Sequence, residues 1–197
     1  MRKLSSTNLY VALVHYPVTN KNGDTIASAV TNLDLHDIAR AAKTFGVQTF
    51  YIVTPIADQQ KLVERIVAHW TNGAGAAYNP ARKEALELIS VKSSLTEVKA
   101  HVYKKQNKAA KTVVTSAKSR DGNISFGRFR DMLDRAEPYL LILGTAWGLS
   151  ESVTAQADYL LEPISGRTEY NHLSVRSAAA IILDRLVGKE KISYGND

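Results

Sequence analysis

Two short segments of this 197-residue chain carry residue types able to hold a ligand through the backbone. The first is Leu143-Gly144-Thr145-Ala146-Trp147-Gly148-Leu149-Ser150, in which two glycines flank a tight bend after an apolar run. A glycine lets backbone amides and carbonyls approach a ligand with no Cβ in the way, although an ordinary strand-to-helix turn has the same composition. The second is Glu162-Pro163-Ile164-Ser165-Gly166-Arg167-Thr168-Glu169-Tyr170-Asn171-His172-Leu173-Ser174-Val175-Arg176-Ser177-Ala178, a polar loop closing into a capped helix. A third group lies at the start of a helix, where Asp34, Asp37 and Arg40 bring two carboxylates and a guanidinium within two turns. Such acids could take a proton from an N–H or O–H, or simply complement the positive end of the helix dipole.

Other common chemistries are missing. There is no G-x-G-x-x-G after a strand, no G-x-x-x-x-G-K-[ST] and no G-x-S-x-G, which counts against a standard dinucleotide fold, a P-loop nucleotidase and a serine hydrolase. The five histidines form no pair at metal-ligand spacing, so no metal is expected. With no cysteine there is no disulfide framework and no thiolate nucleophile. The formal net charge of +6 is unevenly spread: Lys99 to Arg130 holds nine basic residues and one acid, Asp121, leaving the remainder slightly acidic. Such a stretch suits a polyanion, whose counterions it would displace, or else forms a solvated helical surface. Trp70, Tyr78 and Arg82 around a Gly/Ala loop could face RNA or a second subunit, or belong to plain loop structure. After Met1–Ser6 only six or so apolar residues follow, too few for a signal peptide or a membrane span. A soluble, cytoplasmic protein is the expectation.

The elements that must position these segments alternate along the chain. Leu9–Val14, Gln48–Val53, Leu88–Val91, Lys111–Ser116 and Tyr139–Leu143 read as strands, with a last one at Asp158–Leu161. Between them Thr31–Asp34 opens a helix that Gly46 stops, and Asp58 caps a helix running to about His69. Thr71–Pro80 reads as loop, and Ser94-Leu95-Thr96-Glu97 as a capping box for a helix to about Gln106. Phe126–Arg135, a short Ser150–Ala155 and Leu173–Val187 complete the helices. Continuous apolar strands alternating with helices imply an α/β domain, its mainly parallel sheet covered on both faces. Ligands in such folds bind at the carboxyl ends of the strands, where both glycine-bearing segments fall.

Taken together, these segments resemble the SPOUT superfamily of α/β-knot RNA methyltransferases. The resemblance rests on Leu141–Ser150 as the glycine turn, on Pro163-Ile164-Ser165-Gly166 as a P-x-x-G loop, and on Asn171–Ala178 leading into an Ala/Ile-rich helix. It rests also on Asp34–Val47, which looks like the N-x-x-x-x-x-R-x-x-x-x-x-G-V motif of the ribose-methylating branch. It covers about residues 8–188 and is nearest to a small single-domain subgroup also found joined to tRNA guanine-N1 methyltransferases. The resemblance implies one domain over 1–197 with a C-terminal trefoil knot at about 113–188, a homodimer, and S-adenosylmethionine as cofactor. It places the cofactor on three loops: Thr115, Ser116 and Ala117; Leu143, Gly144, Thr145, Ala146, Trp147, Gly148 and Leu149; and Pro163, Ile164, Gly166, His172, Leu173 and Ser174. Arg40 matches the arginine credited with activating the ribose hydroxyl, Asp37 and Ser174 are further catalytic candidates, and Lys118, Arg120, Arg128 and Arg176 are candidate RNA contacts.

Three positions depart from the ribose-methylating pattern. Asp34 stands for its Asn; Ser174 and Arg176 stand for the Asn and second Ser of S-L-N-V-S; and the glycine turn is one residue short, with Ala146 and Trp147 where that branch has Glu. As a base Arg40 would need a much lowered pKa, and it could equally anchor a phosphate. Three functions are therefore weighed: an S-adenosylmethionine-dependent methyltransferase acting on tRNA or rRNA, a non-catalytic RNA-binding module assisting another methyltransferase, and an α/β domain for an unrelated nucleotide.

Overall fold

The structure, a computed structural model, describes residues 7–189. Met1–Ser6, on which the expectation about a leader rests, lies outside the described residues, as does 190–197. Six strands form one parallel sheet: β1 (Leu9–Val14), β4 (Phe50–Val53), β5 (Ile89–Lys92), β6 (Lys111–Val114), β7 (Tyr139–Gly144) and β8 (Tyr159–Leu160). Their order is β5-β4-β1-β7-β6-β8, with β1 central and registered against β7 from Leu9 opposite Tyr139 to Val14 opposite Gly144. Side chains alternate across the pleat, so each strand feeds two cores. Leu9, Val11, Leu13, Phe50, Ile52, Val113, Leu141 and Leu143 share one. Tyr10, Ala12, Val14, Tyr51, Val53, Val114, Leu140 and Ile142 share the other. Burial on both faces is why these strands read as unbroken apolar runs.

The first core is covered by α1 (Asn32–Thr44), α2 (Ala57–Thr71), α4 (Pro80–Leu86), α6 (Phe126–Leu133) and α8 (Val175–Val187). Helix α1 shows how the pattern works. Thr31 caps it by accepting from the Asp34 amide, and Leu35, Ile38, Ala39 and Ala42 form its buried stripe. Each large aliphatic side chain so buried stabilises the fold by roughly 1.5–3 kcal/mol. Gly46 ends the helix at φ 72°, in the left-handed region that a side chain disfavours. The second core lies under α5 (Leu95–Gln106), through Val98 and Val102, and is partly closed by Val153 of α7 (Glu151–Ala155).

Several boundaries differ from expectation. Asp58 does not cap α2; Ile56 occupies that position without a side-chain bond, and Asp58 sits in the first turn, where its charge favours the dipole. Thr71–Pro80 is not a plain loop: it holds α3 (Ala74–Tyr78), and Pro80 opens α4, which Asn79 caps by accepting from the Arg82 amide. Between β1 and α1, where the sequence shows no strand pattern, β2 (Val18–Thr19) and β3 (Thr25–Ile26) pair antiparallel in a small hairpin. Helix α8 starts at Val175, with Ser174 as its cap.

Candidate active site

Strands β1, β7, β6 and β8 are neighbours, so the segments that follow them leave the carboxyl edge of the sheet side by side. The glycine turn leaves β7 and folds back on itself. A Cβ on Gly144 would lie 2.7 Å from the Leu149 nitrogen, so only glycine permits that closure. Ala146 is left-handed at φ 51° and Gly148 at φ 112°. The turn is braced by the 17–19 segment: the Trp147 amide donates to the Thr19 carbonyl (3.1 Å), the Thr19 amide to the Gly148 carbonyl (2.9 Å), and Ser150 to Pro17 (3.3 Å). The Trp147 ring is left 66% exposed at its tip.

The other two loops come to the same edge. The Thr115 amide donates to the Ile142 carbonyl at 3.1 Å, which fixes Thr115–Ala117 beside β7. The 163–174 loop returns across them, and Asn171 Nδ2 donates to the Ala117 carbonyl at 3.0 Å. Pro163 and Ile164 are half-buried there, whereas Gly166, His172, Leu173 and Ser174 are exposed. Ser174 Oγ accepts from the Ser177 amide and lies 3.0 Å from Ser177 Oγ, so its hydroxyl serves the start of α8.

Beneath the glycine turn lies a chain of hydrogen bonds whose direction can be worked out. Thr145 Oγ1 donates to the Val14 carbonyl (2.9 Å), which can only accept. The contact of Thr145 Oγ1 with Ser28 Oγ (2.5 Å) must then use the Ser28 proton, and the 3.0 Å contact of Ser28 Oγ with His15 requires a proton on His15 Nδ1. His15 is therefore the Nδ1–H tautomer. It is fully buried, its Nε2 has no hydrogen-bond partner among the described residues, and burial lowers its pKa to about 4 despite the opposing charge of Asp34. The relay fixes Thr145 at the base of the turn. Sequence reasoning missed His15 and Ser28; the only signal was a histidine placed directly after an apolar strand.

The acids of α1 are joined to α8. Arg176 Nη1 lies 2.8 Å from Asp34 Oδ1 and its Nε 3.5 Å from Asp37 Oδ2. Asp34 is almost wholly buried and also accepts from Thr31 Oγ1 at 2.6 Å. Arg176, expected at an RNA surface, thus spends its guanidinium clamping the end of the 163–174 loop to α1. The Asp34-for-Asn and Arg176-for-Ser departures occupy the two ends of one ion pair. Arg40 is exposed one turn beyond Asp37, and no ion pair among the described residues involves it.

The basic stretch divides between two edges. Lys118 and Arg120 follow β6 at the carboxyl edge, and exposed Arg128 lies on α6. Arg120 is engaged by Glu151, with both contacts at 3.1 Å. In contrast, Lys105 donates to Thr49 Oγ1, just before β4, and Lys108 to the Ala136 carbonyl, just before β7. These lysines sit at the amino edge, away from the loops. Among the described residues no group of three or more His, Cys, Asp or Glu comes together, and no helix is long and apolar enough to cross a membrane.

The three loops fit a nucleoside cofactor held through main-chain groups. They offer tightly folded backbone at Gly144–Leu149 and apolar side chains along the same edge, half-buried at Leu149, Pro163 and Ile164 and exposed at Leu173 and Trp147. The chain is 44% identical to a tRNA (guanine-N(1)-)-methyltransferase of Oleidesulfovibrio alaskensis over 95% of its own length and 44% of that relative's. It therefore spans less than half of that curated protein. Its fold matches a solved methylase family protein of Neisseria gonorrhoeae at 18% identity and a TM-score of 0.61, covering 93% of this chain and 83% of that one. It also matches the SpoU methyltransferase AviRb of Streptomyces viridochromogenes in complex with its cofactor AdoMet, at 20% identity and a TM-score of 0.52, covering 92% and 57%. The profile of an S-adenosylmethionine-dependent RNA methyltransferase family matches residues 8–188, and the chain belongs to that family.

Proposed function

We propose that this chain methylates a tRNA nucleotide, with S-adenosylmethionine in the loops at the carboxyl edge of β7, β6 and β8. The observation that carries the reading is the convergence of those loops, tied together by Asn171 and Ala117, beside a helix that presents Arg40. When bound, the cofactor supplies a methyl carbon activated by a sulfonium. The chain's task is then mainly orientation, since no covalent enzyme intermediate or metal is needed. The His15–Ser28–Thr145 relay and the 17–19 brace hold the glycine turn. Arg176 holds α8 and the end of the 163–174 loop against Asp34 and Asp37. Arg40 anchors the substrate backbone, and Asp37, half-exposed, is placed to accept a proton from the acceptor group. Lys118 and Arg128 extend a basic surface for the RNA from the same edge.

The reading includes a knot over about 113–188, a homodimer and a cytoplasmic site of action. The knot is supported by the contact of the 163–174 loop with the loop after β6. The dimer is supported by exposed Leu33 on α1 and Leu173 beside the loops, and the location by the substrate class. Incubation with methyl-labelled cofactor and total cellular RNA tests the function. Label in the tRNA fraction, falling at least tenfold in Arg40→Ala, is the expected result. RNA binding with no label in any fraction would instead favour the non-catalytic RNA-binding module.

A further inference from the structure

Trp70, near the end of α2, is held with unusual closeness. A Cβ on Gly75 would lie 2.6 Å from Trp70 Cε3, so the glycine of α3 exists to let that helix press on the indole. His69 and His36 meet the ring edge-on, with centroids 5.2 and 5.4 Å away, and the Arg82 guanidinium stands 4.5 Å from the ring centroid. Cation–π contact of this kind fixes a guanidinium plane without using its N–H donors.

Those donors lack an anion. No ion pair among the described residues involves Arg82, and its Nε is buried with no acceptor. The acids of its own helix are turned to lysines: Glu84 to Lys43 at 3.6 Å, and Glu87 to Lys83 at 4.0 Å. Asp37, the acid beside His36, is engaged by Arg176. His36 Nδ1 is likewise buried without a hydrogen-bond partner among the described residues. His36 shares the Trp70 ring with Arg82 and lies one helical turn from Arg40; burial first, then the Arg82 charge, and to a smaller extent Arg40, lower its pKa against the opposing charge of Asp37. A cation held only to brace the fold would normally be given a carboxylate, because a partly buried unpaired charge is costly. Here fixed positive charge and unused donors are gathered beside Arg40, as a phosphate would require.

We propose that Arg82, set on Trp70 and flanked by His36 and Arg40, binds a backbone phosphate of the RNA next to the nucleotide held at Arg40. This rests on the RNA-methyltransferase reading above. The two Nη groups of a guanidinium match two phosphate oxygens, with the buried Nε and the His36 ring packed behind them.

The probe is unfractionated tRNA, with affinity measured across a salt series and S-adenosylmethionine affinity measured in parallel. Arg82→Met should weaken tRNA binding about tenfold and lower the log–log salt slope by about 1, leaving cofactor affinity within twofold. Arg82→Lys should keep the slope and recover only part of the affinity, since it returns the charge but not the fork. Wild-type affinity and slope in Arg82→Met would overturn the inference. Should that variant fail to fold, wild-type affinity in Arg82→Lys would overturn it instead. Wild-type tRNA affinity and slope in Arg82→Met, with cofactor still bound, refutes this site alone; a chain that binds cofactor but no tRNA refutes the tRNA substrate with it. A chain that binds tRNA but no cofactor refutes the methyltransferase reading, and the Arg82 comparison still decides the site.

Discussion

Removing Arg176 should be far more costly than removing Asp34, because the two leave different charges behind. Arg176→Met strands a carboxylate whose side chain is 8% exposed, with only Thr31 Oγ1 left to donate to it. Loss of one member of a buried pair costs about 3–5 kcal/mol when both are fully desolvated. The Arg176 side chain is 32% exposed, so water reaches the gap and the lower figure of about 2–3 kcal/mol applies. Asp34→Asn keeps an acceptor for Thr31 and leaves Arg176 its contact with half-exposed Asp37, so about 1 kcal/mol is expected. The double variant should be no worse than Asp34→Asn with a small packing loss, giving a coupling energy of about 2 kcal/mol. Urea denaturation of the four proteins measures it. Additivity within about 0.5 kcal/mol would refute the clamp, since uncoupled sites behave that way.

Two further perturbations address the glycine turn and its support. Gly144→Ala puts a methyl 2.7 Å from the Leu149 nitrogen, so calorimetry should show S-adenosylmethionine affinity falling at least tenfold; an unchanged affinity would mean the turn does not shape the site. For His15 the folded pKa of about 4 lies below the ordinary 6.5. The unfolded chain therefore takes up the proton first, and stability is full above pH 6.5 and lost as pH falls toward 4. That loss reaches about 3 kcal/mol. His36 and His101 titrate in the same direction, so the comparison is with His15→Asn, whose denaturation midpoint should fall less steeply over that window. Equal slopes would contradict a neutral His15.

The parallel sheet was legible because both its faces are buried, which leaves Leu9–Val14 and Tyr139–Gly144 as apolar runs. The glycine turn and the 163–174 loop were legible from residue type and order. The hairpin at 18–26 was not: each strand is two residues long, and it forms through docking on the turn, with Val18 bridged to Leu149. Thr71–Pro80 reads as loop because glycine and alanine punctuate it, whereas packing against Trp70 accompanies a short helix at Ala74–Tyr78. Arg176 reads as an RNA contact because its carboxylate partner lies 142 residues away, and no local pattern reports such a pair. The His15 tautomer depends in the same way on Thr145, at the end of a neighbouring strand.

The most direct measurement is isothermal titration of the wild-type chain with S-adenosylmethionine and with S-adenosylhomocysteine. The three converging loops require saturable binding of both, weakened in Gly144→Ala. No heat of binding from either ligand at millimolar concentration, by a protein shown to be folded, would contradict the account.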